Sequence, residues 1–170
     1  MDAAAPHGSA RVRGWTAGKP AAVPQPGTVG ALMSHPLISV DAATTLSAAI
    51  AQMREDGIHH LLVTDRGFIV ALVSDRNLIR ALGLGPSSRE AEQRYHRLPV
   101  LQVAEYRLVT IEEDTTVEVA AETMLDGGFS ALPVVNEAGE MSGIVTSRDL
   151  LRYLAAVRPP RSDEELPRAS

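Results

Sequence analysis

Thr146 and Asp149 stand three residues apart, where the apolar run Gly143-Ile-Val gives way to the helical spacing of Leu150 and Leu154. A carboxylate at such a strand-to-helix turn can accept both hydroxyl hydrogens of a ribose, a charge-assisted arrangement stronger than neutral pairing. The Thr hydroxyl adds a donor and an acceptor, and the free amides of the first helical turn can meet a phosphate. The same spacing is close to a capping box, in which Thr caps the helix and the acid reaches back to the Thr amide. The two roles can coexist. An equivalent stretch earlier in the chain holds Ser74 and Asn77. Asn accepts a hydrogen bond but carries no charge, so its grip on a diol should be weaker by about 1 to 2 kcal/mol.

His59 and His60 invite a metal reading, with His35 and His96 elsewhere. Neighbours on a strand point to opposite faces, so the two rings are not expected to share an ion. A phosphate-facing or interfacial role is expected instead. Arg76 and Arg148 each precede the Asn or Asp by one residue. They are either solvated charge at a helix start or contacts for ligand phosphates or a partner subunit. No nucleophile–base–orienter set and no Gly-rich phosphate loop is visible. Turnover would need a pair such as His59 with a carboxylate at hydrogen-bond distance. No enzyme is expected.

These residues recur because the chain repeats itself. A shift of 71 positions lays Val29–Asp65 on Val100–Asn136, with Leu37 on Leu108, Ala49 on Ala120, Met53 on Met124 and Gly57 on Gly128. One extra residue in the second turn, Glu137-Ala138-Gly139 against Arg66-Gly67, moves the register by one. Val73, Arg76 and Leu78 then meet Val145, Arg148 and Leu150. Two copies of one unit bury each other's apolar faces and leave related crevices between them.

Within each copy the period of the apolar residues changes. Leu46, Ala49, Ile50 and Met53, like Val117, Ala120, Ala121 and Met124, follow i, i+3, i+4, i+7 and predict an amphipathic helix. Thr115 with Glu118 has capping-box spacing before the second of these. Short apolar runs joined by turns at Gly67 and Gly139 predict hairpins, and Leu78–Leu82 and Leu150–Leu154 predict closing helices. The order is strand, helix, strand, strand, helix, twice. The expected fold is α/β (α+β): two pseudo-symmetric repeats, residues 28–82 and 100–156, packed as one module. A partly helical linker over 83–99 separates them. Residues 1–27, rich in Ala, Pro and Gly, should form a flexible arm on which Trp15 can dock, and 157–170 a flexible tail.

With 45% hydrophobic residues the 170-residue chain can build a sizeable core, but 4% aromatics leave that core to aliphatic side chains. No cysteine is present, which excludes a disulfide scaffold and a thiol nucleophile. The net charge of -5 argues against nucleic acid as the main partner. Prolines and glycines interrupt the uncharged stretch 21–40, so no membrane span is expected, and no signal peptide is visible; the reading is cytoplasmic. Fifteen Arg against one Lys hints at a high-GC bacterial genome.

The segments Gly-Phe-Ser-Ala-Leu-Pro-Val-Val (128–135) and Gly-Ile-Val-Thr-Ser-Arg-Asp-Leu-Leu (143–151), in this order and present twice, closely resemble the cystathionine beta-synthase (CBS) domain. The resemblance covers roughly residues 28–155. It implies a regulatory module binding an adenosine-containing ligand such as AMP, ADP, ATP or S-adenosylmethionine, with no cofactor required and no metal. Carried over, Thr146, Asp149 and Arg148 of one repeat face Ile38, Ile58, His59 and His60 of the other, the apolar pair sandwiching adenine. A second, weaker site would hold Ser74 and Asn77, walled by Val109, Phe129 and Ser130. The resemblance also implies a homodimer joined through helices. That fits the wide apolar arcs made by Ala48 and Ala51 on one helix and Val119 on its counterpart. The rival reading is a dimerising interaction module that binds no ligand. The downstream target is not legible.

Overall fold

Residues 14–20, 23–82 and 89–157 are described by a computed structural model of the chain. The first repeat runs β1 (Ser39–Asp41), α1 (Leu46–Glu55), β2 (His60–Asp65), β3 (Phe68–Ser74) and α2 (Asp75–Leu82). After α3 (Arg89–Arg97) the second repeat runs β4 (Ile111–Glu112), α4 (Val117–Gly127), β5 (Ala131–Val135), β6 (Met141–Thr146) and α5 (Ser147–Val157). Each repeat makes its own three-stranded sheet, β1-β2-β3 and β4-β5-β6. The first pair in each is parallel, across the α1 or α4 crossover, and the second is an antiparallel hairpin. This is the expected order, with two separate sheets.

Both crossover helices start in the same way. Thr45 Oγ1 accepts from the Ala48 amide at 3.3 Å, and Thr116 Oγ1 from the Val119 amide at 3.4 Å. The cap of α4 is therefore Thr116, one residue beyond the Thr115 that spacing suggested. Thr115 belongs to the preceding turn, where its carbonyl accepts from the Val29 amide at 2.8 Å. Gly128 ends α4 at φ 67, a left-handed conformation that glycine adopts without a Cβ penalty.

The two repeats exchange their lead-in segments. Val29 and Met33, which precede β1, are buried among Val117, Ala120, Met124, Leu132, Val134, Val145 and Leu150 of the second repeat. Val100, with half-buried Leu98, Leu101, Val103 and Ala104, packs on Leu46, Ala49, Met53, Leu61, Val63, Val73 and Leu78 of the first. The backbone follows the same symmetry. Ser34 pairs with Ile144 as Glu105 pairs with Leu72, and Thr28 with Thr116 as Pro99 with Thr45. Gly143 permits one of these approaches, because a Cβ there would collide with the Met33 side chain. Residues 28–82 and 100–156 are thus units of sequence, whereas each core is completed by the other repeat's lead-in.

A third cluster joins the sheets: Leu62, Ile69 and Met141, with Trp15, Leu37, Leu72, Leu108 and Val135 against it. Trp15 exchanges two backbone hydrogen bonds with Ile69, at 2.9 and 2.7 Å. Met141 donates to the Thr16 carbonyl at 2.9 Å and accepts from the Gly18 amide at 2.7 Å. Ile69 and Met141 are equivalent positions, so one short segment ties the two hairpins together. The arm expected to be flexible up to residue 27 is therefore held at Trp15–Gly18. Residues 1–13, 21–22, 83–88 and 158–170, which include much of the expected arm, most of the expected tail and part of the linker, lie outside the described residues.

Candidate functional site

A cavity of about 400 Å3 opens between the repeats, within the usual size range of small-molecule sites. Its walls come from both. The first repeat supplies Ile38 beside β1, Ile58, His59 and His60 at the start of β2, and Asp75 and Arg76 at the start of α2. The second supplies Ser130 before β5, Thr146 at the end of β6, and Arg148, Asp149 and Arg152 on α5. All seven side chains expected in the stronger site line this one cavity.

The Thr146–Asp149 pair is a closed box. Asp149 Oδ2 accepts from the Thr146 amide at 2.9 Å and from the Thr146 hydroxyl at 2.6 Å, while Thr146 Oγ1 accepts from the Asp149 amide at 3.4 Å. This leaves Asp149 Oδ1, whose nearest cation is Arg152 at 3.8 Å. Capping occupies one carboxylate oxygen and leaves the other for an incoming donor. Ser74 and Asn77 repeat the geometry: Asn77 Oδ1 accepts from the Ser74 amide at 2.9 Å and from its hydroxyl at 2.6 Å. Substituting Asn for Asp therefore changes the charge of the box and keeps its shape.

The histidines differ from expectation. Both line the cavity, because His59 precedes β2 and only His60 lies on it. Strand alternation does not govern the pair. They take separate partners: His59 Nδ1 lies 2.9 Å from Asp75 Oδ2, and His60 Nε2 lies 3.0 Å from Ser130 Oγ. The carboxylate at hydrogen-bond distance from His59 that acid–base chemistry requires is thus present. The two pairs stay unlinked, however. Among the described residues the His59–Asp75 pair makes no hydrogen bond to a hydroxyl, and Ser130 Oγ pairs with His60. Among the described residues no group of three or more His, Cys, Asp or Glu is gathered as a metal site would need.

Ser130 was expected to wall the weaker site; it lines this cavity, through its bond to His60. Val109 and Phe129 pack at the edge of the second core. Sequence reasoning missed Asp75, although a comparison of the repeats contains the signal. Asp75 stands where the second repeat has Ser147, so the acid next to the histidine pair is peculiar to the first copy.

Burial pushes the His60 imidazole below its usual 6.5. Asp75 and Asp149 oppose this, while His59 and Arg76 add to the lowering. Below 6.5 the unfolded chain takes up a proton that folded His60 resists. Its contribution is complete above 6.5 and is lost as pH falls from there through the folded value. Urea midpoints should therefore drop between about pH 7 and pH 5, and His60→Gln should reduce the drop. An unchanged slope in that variant would remove His60 as the cause.

Among the described residues no helix is long and apolar enough to cross a membrane. The family model described as "CBS domain" matches twice, over residues 29–84 and 100–156. A CBS domain-containing protein of Dictyostelium discoideum is 32% identical over 133 residues, covering 76% of this chain and 92% of that protein. Other curated relatives are longer, and the chain spans 27% of one from Methanocaldococcus jannaschii to which it is 33% identical. The CBS domain pair of protein MJ0100, solved with 5'-methylthioadenosine and S-adenosyl-L-methionine, superposes with a TM-score of 0.65 at 23% identity. That match covers 77% of this chain and 98% of that one. CBSX2 in complex with AMP gives a TM-score of 0.60 at 27% identity, covering 76% and 97%.

Proposed function

The chain belongs to the CBS-domain family and carries two such domains, and from that premise we propose that it is a regulatory sensor of an adenosine-containing small molecule, and no enzyme. The observation that carries the reading is the convergence of Thr146–Asp149 from one repeat and Ile38, Ile58 and the His59–His60 pair from the other on one cavity. Asp149 Oδ1 takes the ribose diol, Ile38 and Ile58 hold the base, and Arg148 meets the anionic end. CBSX2, 27% identical, is solved with AMP, which supports an adenosine compound as the ligand. The Ser74–Asn77 box marks a weaker second site. The relevant test is a thermal-shift screen of AMP, ADP, ATP, NAD and S-adenosylmethionine. A ligand at 100 times its Kd should add about 2.7 kcal/mol of stability. No shift with any of the five would leave the rival reading, a dimerising module without a ligand.

Dimerisation belongs to either reading. Leu125 on α4, Leu151 and Leu154 on α5 and Ile79 on α2 are 81%, 66%, 54% and 55% exposed, and Val119 on α4 is exposed as well. These are five exposed large aliphatic side chains on three helices of a chain of 18.1 kDa. The sensor acts as a homodimer joined through these helices, and a ligand works by binding its two arrangements unequally. Light scattering should give about twice 18.1 kDa. A monomer mass at micromolar concentration would refute the dimer.

A further inference from the structure

Arg76 and Arg148 reach the same cavity from opposite repeats, each as the second residue of its helix. Two helix N-termini, each with a partial positive charge, therefore converge on one space. Their amides at Asp75, Asn77, Ser147 and Asp149 are already hydrogen-bonded within the protein, which leaves the two arginines as the donors for an anion. Among the described residues neither guanidinium has a carboxylate within ion-pair distance. The nearby carboxylates are engaged elsewhere: Asp75 with His59 at 2.9 Å, and Asp149 with Thr146 and, at 3.8 Å, with Arg152. Three arginines against two carboxylates give the cavity a local cationic excess in a chain whose net charge is -5.

We propose that Arg76 and Arg148 make this cavity selective for a nucleoside polyphosphate, a di- or triphosphate, over a monophosphate or a sulfonium-bearing adenosyl compound. The inference rests on the adenosine reading above. A single phosphate is served by one helix N-terminus and its arginine. A chain of two or three phosphates can be held from both repeats at once, each guanidinium offering its planar fork of donors to phosphate oxygens. A sulfonium would instead bring a positive charge towards three arginines, with Asp75 held by His59 and Asp149 committed to the ribose. Because the two arginines sit on different repeats, the polyphosphate also bridges the first turns of α2 and α5. These helices carry the exposed Ile79, Leu151 and Leu154.

Calorimetric titration of the full chain with adenosine, AMP, ADP, ATP and S-adenosylmethionine tests this, alongside Arg76→Gln, Arg148→Gln and the double variant. ADP or ATP should bind at least about tenfold more tightly than AMP or S-adenosylmethionine, the scale of one added charge-assisted contact. Each single variant should remove about tenfold from ATP, and the double variant should bring ATP close to AMP, whose own affinity moves by less. Both side chains are exposed, so unchanged melting temperatures without ligand should confirm that the variants fold. ATP binding no better than AMP or S-adenosylmethionine, or variants that weaken AMP as much as ATP, would overturn the polyphosphate preference and leave the adenosine site standing. Failure of every adenosine compound to bind would remove the site itself.

Discussion

Expressed alone, residues 28–82 remain unfolded, whereas residues 36–106 acquire structure, although both fragments contain the whole of α1, β2, β3 and α2. The difference lies in the exchanged lead-ins. Fragment 28–82 carries Val29 and Met33, whose buried partners all belong to the second repeat, and it lacks Val100, which is fully buried in the first core. Burying one Val-sized side chain is worth about 1.5 to 3 kcal/mol. Val100 arrives with half-buried Leu98, Leu101 and Val103. Losing the group removes about 5 kcal/mol, comparable to the whole stability of a small domain. A chain of that length is marginal even when its core is complete. Fragment 36–106 restores Val100 together with the Leu72–Glu105 backbone pairing. Far-UV circular dichroism with urea titration would separate the two. A cooperative transition in 28–82, or none in 36–106, would contradict the exchange as the source of core stability.

The exchange explains why some of the fold was legible in the sequence and some was not. Helices α1 and α4 announce themselves through a local period, and the hairpins through apolar runs broken by glycine turns. Both signals lie within a dozen residues. Val29 and Val100 are apolar residues just ahead of a strand, and nothing local says whose core they enter. Their partners are set by pairings such as Val29 with Thr115, between residues distant in sequence. A clue did exist: the repeat match begins at Val29 and Val100, ahead of each strand, so the lead-ins belong to the repeating unit. The site divides in the same way. The Thr146–Asp149 box is a three-residue motif and can be read directly. The His60–Ser130 bond joins residues 70 apart across the repeats and depends on how the sheets dock. Strand alternation misled for His59 because the strand begins one residue later, at His60, so the alternation of faces does not extend to His59.

Asp149→Ala should abolish adenosine-ligand binding and leave a folded protein. In the parent, Oδ2 holds the Thr146 amide and hydroxyl, while Asp149 lines the cavity and its Oδ1 has Arg152 at 3.8 Å. Two ribose hydroxyls donating to a carboxylate are charge-assisted bonds, each worth about 1.5 to 3 kcal/mol. Their loss weakens binding by at least about 100-fold. The structural cost is separate and smaller. Removing the box exposes first-turn amides that water can reach, which costs about 1 kcal/mol, as at other helix caps. Asp149→Asn isolates the charge, because Asn77 already shows that an amide oxygen closes the same box with distances of 2.9 and 2.6 Å. That variant should melt close to the parent yet bind about tenfold more weakly, the difference between charged and neutral hydrogen bonds. Calorimetric titration and thermal melts on the three proteins distinguish the roles. If the Ala variant melts lower but binds as the parent does, Asp149 is a helix cap and the ribose is held elsewhere.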